Sequence, residues 1–293
     1  MQVERTTDVA ALTRRQRAGL WLIAPAAAWL LIFFVIPFYS LLATSLFDQN
    51  GSVLTGYKVT WQFANFGHAI SGYWPEIVRS FAYAGIATVL CLILGYTLAY
   101  AIAFKAGRWK TLLLVMVIAP FFTSFLIRTL AWKLILGDDG WLVNTLKAIH
   151  LMPEGSRILA TPVAVIAGLT YNFLPFMILP LYTSLEKMDP KLLEAASDLY
   201  AKPAQAFFKV TWPLSIPGVV GGILLTFIPA TGDYINASLL GSPNERMVGN
   251  VIQSLFTTTG DYAQAGALSV VLLVIIVVLV MLYVRRSGSE DLL

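Results

Sequence analysis

Apolar residues gather in six long blocks, at about 18–45, 78–104, 111–135, 161–185, 214–240 and 265–285, and most of the charge lies between them. A helix needs about 20 apolar residues to cross roughly 30 Å of hydrocarbon, so each block is long enough to span a bilayer. Lipid offers a backbone no outside hydrogen-bond partner, which makes the spans helical. The short alternating segments of a membrane barrel are absent. The pattern therefore predicts an all-α integral membrane protein with six transmembrane helices over 18–285. A 1–17 tail precedes them and a 286–293 tail follows. The first block exceeds the ~7–15-residue core of a signal peptide and reads as an uncleaved span, bent or bounded by Pro25 and Pro37.

One interruption differs from the rest. Six charged residues lie between Lys187 and Lys202, inside a 186–213 loop flanked by apolar runs. Asp189-Pro190 is a helix start, because Asp accepts from free amides and Pro suits the first helical position. From there KLLEAASDLY reads as a short amphipathic helix. Leu192, Ala196 and Leu199 share one face, with Leu193 and Tyr200 beside them, and Glu194 and Asp198 lie on the polar side. Pro203 opens a second short helix carrying Phe207, Phe208 and Val210, which is expected to end near Pro213. The apolar face is expected to pack under the spans, leaving an acidic edge towards the cytoplasm. A helix lying in lipid headgroups favours Lys and Arg on its polar face. The acids here point instead to a docking surface for a cytoplasmic protein.

Composition agrees with the pattern. Of the 293 residues, 58% are hydrophobic and 12% charged, against roughly 25% charged in a soluble domain. Thirteen of the 20 basic residues fall on one side of a six-span topology. They sit in the N-terminal tail (Arg5, Arg14, Arg15, Arg17), the 105–110 turn (Lys105, Arg108, Lys110), the island (Lys187, Lys191, Lys202, Lys209) and at Arg285 and Arg286. By the positive-inside rule that side is cytoplasmic, and both termini lie there with the island. The net charge of +4 is thus topology and calls for no nucleic-acid partner. Cys91, the single cysteine, reads as a small apolar residue of the second span.

The chain carries no phosphate-binding loop, no dinucleotide fingerprint, no H-E-x-x-H and no G-x-S-x-G elbow. His68 and His150 fall in predicted outside loops, far apart in sequence, and read as solvated or packed side chains. No catalytic residue, metal site or cofactor is expected, and an energy source must come from another chain.

The segment EAASDLYAKPAQAFFKVTWP resembles the EAA loop of ABC importer membrane subunits. Glu194, Ala195 and Ala196 stand for its opening, and Val210, Trp212 and Pro213 for its aliphatic-x-Leu-Pro ending nineteen residues on. Two positions depart from the family pattern: Tyr200 replaces the usual Gly and Trp212 the usual Leu. Gly permits the bend between the two short helices, so the bend is expected at Lys202-Pro203 instead. PFFTSFLIRTLAWKLILGDDG (120–140), LPFMILPLYTSLEKMDPKLLEAASDL (174–199) and LLGSPNERMVGNVIQSLF (239–256) look like the spermidine/putrescine branch of these permeases.

The resemblance implies the type I importer permease fold and a machine of several chains. Two permease subunits form the pathway, and two cytoplasmic ATPases clamp together on ATP, each holding one EAA helix in a groove. An extracytoplasmic binding protein delivers the substrate at the prokaryotic inner membrane. Glu194, Ala195, Ala196, Asp198 and Tyr200 then form the ATPase-coupling surface, where charges set register and recognition.

Charge inside a span costs on the order of 2.5–3.5 kcal/mol and needs a reason. Lys133, near the outer end of the third span, can snorkel. Arg128 lies deeper and is either a buried pair between helices, with Asp233 as one available partner, or a pathway residue. Asp233 follows IPATG, where Pro229 and Gly232 should break the helix, and irregular backbone at membrane depth is tolerated where it lines a cavity. A polyamine is a chain of ammonium groups that takes carboxylates and aromatic faces. Asp233, Tyr234, Trp132 and Tyr171 supply both, although each ring also reads as packing. Asp138, Asp139 and Asp261, in outside loops, are read as drawing in a cation, meeting the binding protein, or simply solvated.

Two other classes stand beside this one. An ion-coupled secondary transporter places several carboxylates or broken repeat helices at the midplane; a membrane enzyme needs a catalytic constellation. Another organic solute or a metal ion is the alternative cargo. An ATPase dock belongs to the importer alone, so Glu194→Lys separates it from the others.

Overall fold

A computed structural model describes residues 23–48, 51 and 56–286. The 1–17 tail with Arg5, Arg14, Arg15 and Arg17, and residues 287–293 of the other tail, lie outside the described residues. Among the described residues the chain consists of helices joined by turns and loops, with an isolated bridge between Phe47 and Val59.

Five long apolar helices match five of the six blocks. They are α1 (Ile23–Ser45), α2 (Ala64–Lys105), α6 (Pro162–Glu186), α8 (Pro203–Thr231) and α11 (Tyr262–Arg286). The third block is not one straight helix. It splits into α3 (Gly107–Phe122) and a second arm, Phe125–Ala148, bent from it by 95°. That arm comprises α4 (Phe125–Leu136) and α5 (Trp141–Ala148). Pro120 tightens the last turn of α3, and Thr123 and Ser124 then run extended, with ψ of 148° and 138°. Hydropathy alone could not place this break, because Pro120, Phe121 and Phe122 are as apolar as the helix around them. The fifth block is also interrupted. Helix α8 stops at Thr231, Gly232 to Tyr234 are irregular, and α9 (Ile235–Leu240) follows. The expected break at Gly232 is present, whereas Pro229 lies within α8.

Helix α2 starts well before the apolar run, at Ala64, and kinks at Tyr73 (φ −123°, ψ 21°), two residues before Pro75. Its polar extension ties neighbouring segments to the bundle. Asn65 Nδ2 donates to the Ser45 and Phe47 carbonyls at 3.0 and 2.9 Å. Arg79 Nη1 donates to the Arg246 carbonyl at 2.7 Å, and Ser80 Oγ accepts from the Val248 amide at 2.7 Å. His68 is therefore helical and exposed rather than in a loop.

Two prolines are absorbed by the same device. Pro37 and Pro213 lack the N–H that would bond four residues back. In each case the preceding turn widens to π geometry, at Leu31–Val35 and Phe207–Thr211. Ile36 then donates to Leu31 and Trp212 to Phe207, five residues back. The second short helix of the 186–213 loop consequently does not end near Pro213; it runs on into the fifth span as the start of α8.

Helices α6 and α8 pack closely. A Cβ on Gly218 would lie 2.6 Å from Ser184 Cβ and 2.8 Å from the Pro180 carbonyl oxygen. Backbones approach this closely in membranes through small residues. Around that seam Met177, Ile178, Leu181 and Leu185 are buried with Val219. A second core joins α2 and α11 through Ala69, Ile77, Ala265 and Leu268. Large apolar side chains such as Phe33, Ile93, Val115 and Leu282 face outward, as lipid requires.

Candidate functional site

Helix α7 (Lys191–Asp198) begins as the sequence suggests: Asp189 Oδ1 accepts from the Lys191 amide at 3.0 Å. Glu194 lies in its first turn and Asp198 ends it, both exposed; Ala195 is exposed and Ala196 half-buried. A carboxylate suits the first turn but opposes the helix dipole at the last, so Asp198 is not there for helix stability. The expected packing of the apolar face is only partial: Leu192 is exposed at its start, and the end is barer still. Leu199 is 81% and Tyr200 95% exposed. The acidic edge therefore carries an uncovered apolar tip.

The bend sits at Tyr200 rather than at Lys202-Pro203. Tyr200 has φ +58°, the left-handed region. Its amide donates to the Ser197 carbonyl at 2.9 Å, and the Ala201 amide donates to the Ala196 carbonyl at 3.1 Å. This is a Schellman closure, with Tyr200 at the position that glycine most often fills. Lys202 is extended before Pro203 and donates its amide to Gln205 Oε1 at 2.9 Å, which caps the start of α8. A groove of about 750 Å³ opens beside α7 between α6 and α8, reaching from Lys187 and Asp189 to Phe176.

The intramembrane charges do not pair. Arg128 is 7% exposed, in the first turn of α4, with its guanidinium carbon 5.6 Å from the ring centres of both Phe121 and Phe125. Phe121 precedes the 95° break and Phe125 follows it, so Arg128 braces the bend. Its Nε and Nη1 are buried without a hydrogen-bond partner. Asp233, 9% exposed, turns its Oδ1 to the Asn236 amide at 2.8 Å and caps α9. Trp132 and Tyr171 do meet, edge to face at 5.3 Å between ring centres. Tyr234 is 45% exposed. Among the described residues, no hydrogen bond joins Asp233 to these rings.

What places Asp233 is a set of amides that sequence reasoning passed over. Asn172 Nδ2 donates to Thr129 Oγ1 at 3.1 Å and to Asn236 Oδ1 at 3.0 Å, linking α4, α6 and α9. Asn250 Nδ2 donates to the Tyr234 carbonyl at 2.7 Å and to Ser238 Oγ at 2.6 Å. Asn250 belongs to α10 (Val248–Ser254), which touches the break at Gly249. The available signal was the amide itself: Asn172 stands in an apolar span, where a polar side chain is retained for an interhelical bond.

Of the loop acids, Asp138 and Asp139 are exposed, and Asp261 Oδ1 accepts from the Gln264 amide at 3.0 Å, capping α11. Among the described residues no three His, Cys, Asp or Glu side chains form a metal-holding group.

Comparison with known proteins places this arrangement. Residues 92–287 match the family described as binding-protein-dependent transport system inner membrane component. The spermidine/putrescine transport system permease protein PotB of Haemophilus influenzae is 39% identical over 261 residues, covering 89% of this chain and 91% of its own. PotB of Escherichia coli K12 is 34% identical over 267 residues, covering 91% and 96%. Among solved structures, a chain of a bacterial ABC transporter for import of the acidic polysaccharide alginate superposes with a TM-score of 0.73. It shares 18% identity and covers 95% of this chain and 97% of that one, a likeness of fold.

Proposed function

The chain belongs to the binding-protein-dependent transport system inner membrane components, and from that premise we propose that it moves polyamines, spermidine and putrescine, into the cytoplasm. It is a permease subunit of an ABC importer and performs no chemistry itself; ATP is hydrolysed on a partner ATPase. The observation that carries the cargo is the likeness to PotB chains along about nine-tenths of the sequence. The fold does not choose the cargo, since the chain with the same architecture serves an acidic polysaccharide.

The coupling surface is Glu194, Ala195, Ala196, Asp198 and Tyr200. The exposed acids and the uncovered Leu199–Tyr200 tip support this reading, because an exposed apolar tip rimmed by charge fits an interface. The ATPases form a cytoplasmic pair, a second permease completes the pathway, and an extracytoplasmic binding protein presents the substrate. Both termini lie in the cytoplasm with the coupling helix.

Along the pathway, Asp233 offers a carboxylate held in place by its own helix cap, with Tyr234 exposed beside it. Trp132 and Tyr171 form an aromatic wall, and an ammonium on such a face gains about 0.5–2 kcal/mol depending on desolvation. Arg128 holds the bend of the broken span and sets a fixed positive charge near the route.

Glu194→Lys tests the coupling surface: ATPase co-purification and spermidine uptake both fall. Uptake and co-purification equal to the unmodified transporter would remove α7 as the dock. Uptake of labelled spermidine by proteoliposomes holding the complete transporter tests the cargo. Uptake unaffected by loss of this subunit would remove the polyamine assignment.

A further inference from the structure

The two ends of the coupling loop are tied to different parts of the bundle by different chemistry. On the exit side, the start of α8 packs into aromatic residues of α2. Tyr96 lies 5.6 Å from Phe207 and 5.3 Å from Trp212 between ring centres, and its hydroxyl is 2.9 Å from Ser215 Oγ. On the entry side, α6 ends at Glu186, whose carboxylate receives an ion pair from Lys110 of α3. Lys110 Nζ also stands 5.6 Å from the centre of the Tyr182 ring, one turn earlier on α6. Among the described residues this is the one ion pair. It joins the last turn before the coupling helix to the first turns of the broken third span.

We propose that Lys110 is a positioning residue: it makes the entry end of the coupling loop and α3 move as one body when the ATPase closes. The inference rests on the importer reading above. Glu186 is three residues before Asp189, which starts α7, and Met188 between them is buried. The connector is therefore short and held, so a displacement of α7 arrives at Glu186. Apolar packing resists compression but tolerates sliding, whereas a salt bridge backed by a ring fixes direction. At the far end of α3 lies the 95° break that Arg128 braces, so the push would travel from the dock to the bend beside the buried polar cluster. The pair is partly open to water, with side chains 30% and 42% exposed. It adds little to fold stability and can be removed without unfolding the bundle.

The test uses the complete transporter in lipid, with spin labels at Lys191→Cys and Val115→Cys. Both sites are exposed, and the native Cys91 is buried away from the label. With Lys110 present, the label separation stays the same with and without ATP plus vanadate. With Lys110→Met it shifts and broadens in the ATP state. Lys110→Arg behaves as the parent, and the exchange Lys110→Glu with Glu186→Lys restores the narrow distribution. Spermidine-stimulated ATP hydrolysis falls about two- to fivefold in Lys110→Met, the range of a partly exposed pair, and recovers in the exchange. Unchanged distances and stimulation in Lys110→Met would overturn the proposal, as would an exchange that fails to rescue. Failure of the ATPase to co-purify with the Lys110-containing chain would instead strike the importer reading, and this inference with it.

Discussion

Gly249→Ala should displace Asp233 without touching it. A Cβ at Gly249 would lie 2.4 Å from the Gly232 carbonyl oxygen and 3.0 Å from that of Asp233. Favourable contact begins at about 3.5 Å, so the break would have to retreat by roughly 1 Å. It is poorly free to do so. Asn250 holds the Tyr234 carbonyl at 2.7 Å, and Asp233 holds the Asn236 amide at 2.8 Å. Overpacking a well-filled site costs about 1–3 kcal/mol, and here the obstructing atoms are backbone rather than a flexible side chain, which sets the cost near the top of that range. For a chain of 293 residues, with an unfolding entropy of about 2 cal/mol/K per residue, that corresponds to a melting shift of about 3–5 °C. The matched control is Gly232→Ala. Nothing lies within 4 Å of a Cβ there, and its φ of −90° suits any residue, so its effect should stay within about 0.5 kcal/mol. Thermal melting of the solubilised permease followed by size-exclusion fluorescence reads both, and spermidine uptake reads the displacement of Asp233. Equal melting of Gly249→Ala and the parent, or an equal loss in Gly232→Ala, would refute the close approach that positions the break.

Three further outcomes follow from the same contacts. Asn172→Leu leaves Asn236 Oδ1 buried without its donor and should cost about 1–3 kcal/mol; a melt equal to the parent would show that the Thr129–Asn172–Asn236 link carries no stability. Asp233→Asn keeps an oxygen for the Asn236 amide, so the chain should fold normally while spermidine uptake drops at least about tenfold from loss of the carboxylate; undiminished uptake would take Asp233 off the pathway. Tyr200→Gly should keep the Schellman closure and relieve a left-handed conformation worth about 1–2 kcal/mol to an L-residue. Tyr200→Val should tighten that strain, and similar ATPase co-purification by Gly and Val variants would show the bend has no bearing on docking.

The spans and helix α7 were legible because their signals are local. An apolar run of bilayer length needs no tertiary information, and Asp189-Pro190 announces a helix start whose cap the Lys191 amide completes. The break after Phe122 was not legible, since Pro120 sits among residues as apolar as any in the spans and the extended Thr123 and Ser124 carry no charge. Proline read alone was equally misleading at Pro213, where a wide turn at Phe207–Thr211 lets the helix continue. Tyr200 illustrates a third case. A missing glycine argued for a bend elsewhere, yet the carbonyls of Ala196 and Ser197 close on the same position and force Tyr200 into the left-handed region. Arg128 and Asp233 were visible as charges, but their partners were not: two rings across a bend and one amide of a short helix, neither encoded by spacing.

Polyamine transport through this subunit, driven by ATP hydrolysed on another chain, can be put to a single assay. ATP hydrolysis is measured in lipid by this subunit with its second permease, ATPase and binding protein, without ligand, with spermidine and with putrescine. Either polyamine should raise hydrolysis above the unliganded rate, and Glu194→Lys should abolish the rise. Hydrolysis that neither polyamine moves would contradict the polyamine assignment, and failure of any ATPase to assemble with the chain would contradict the importer itself.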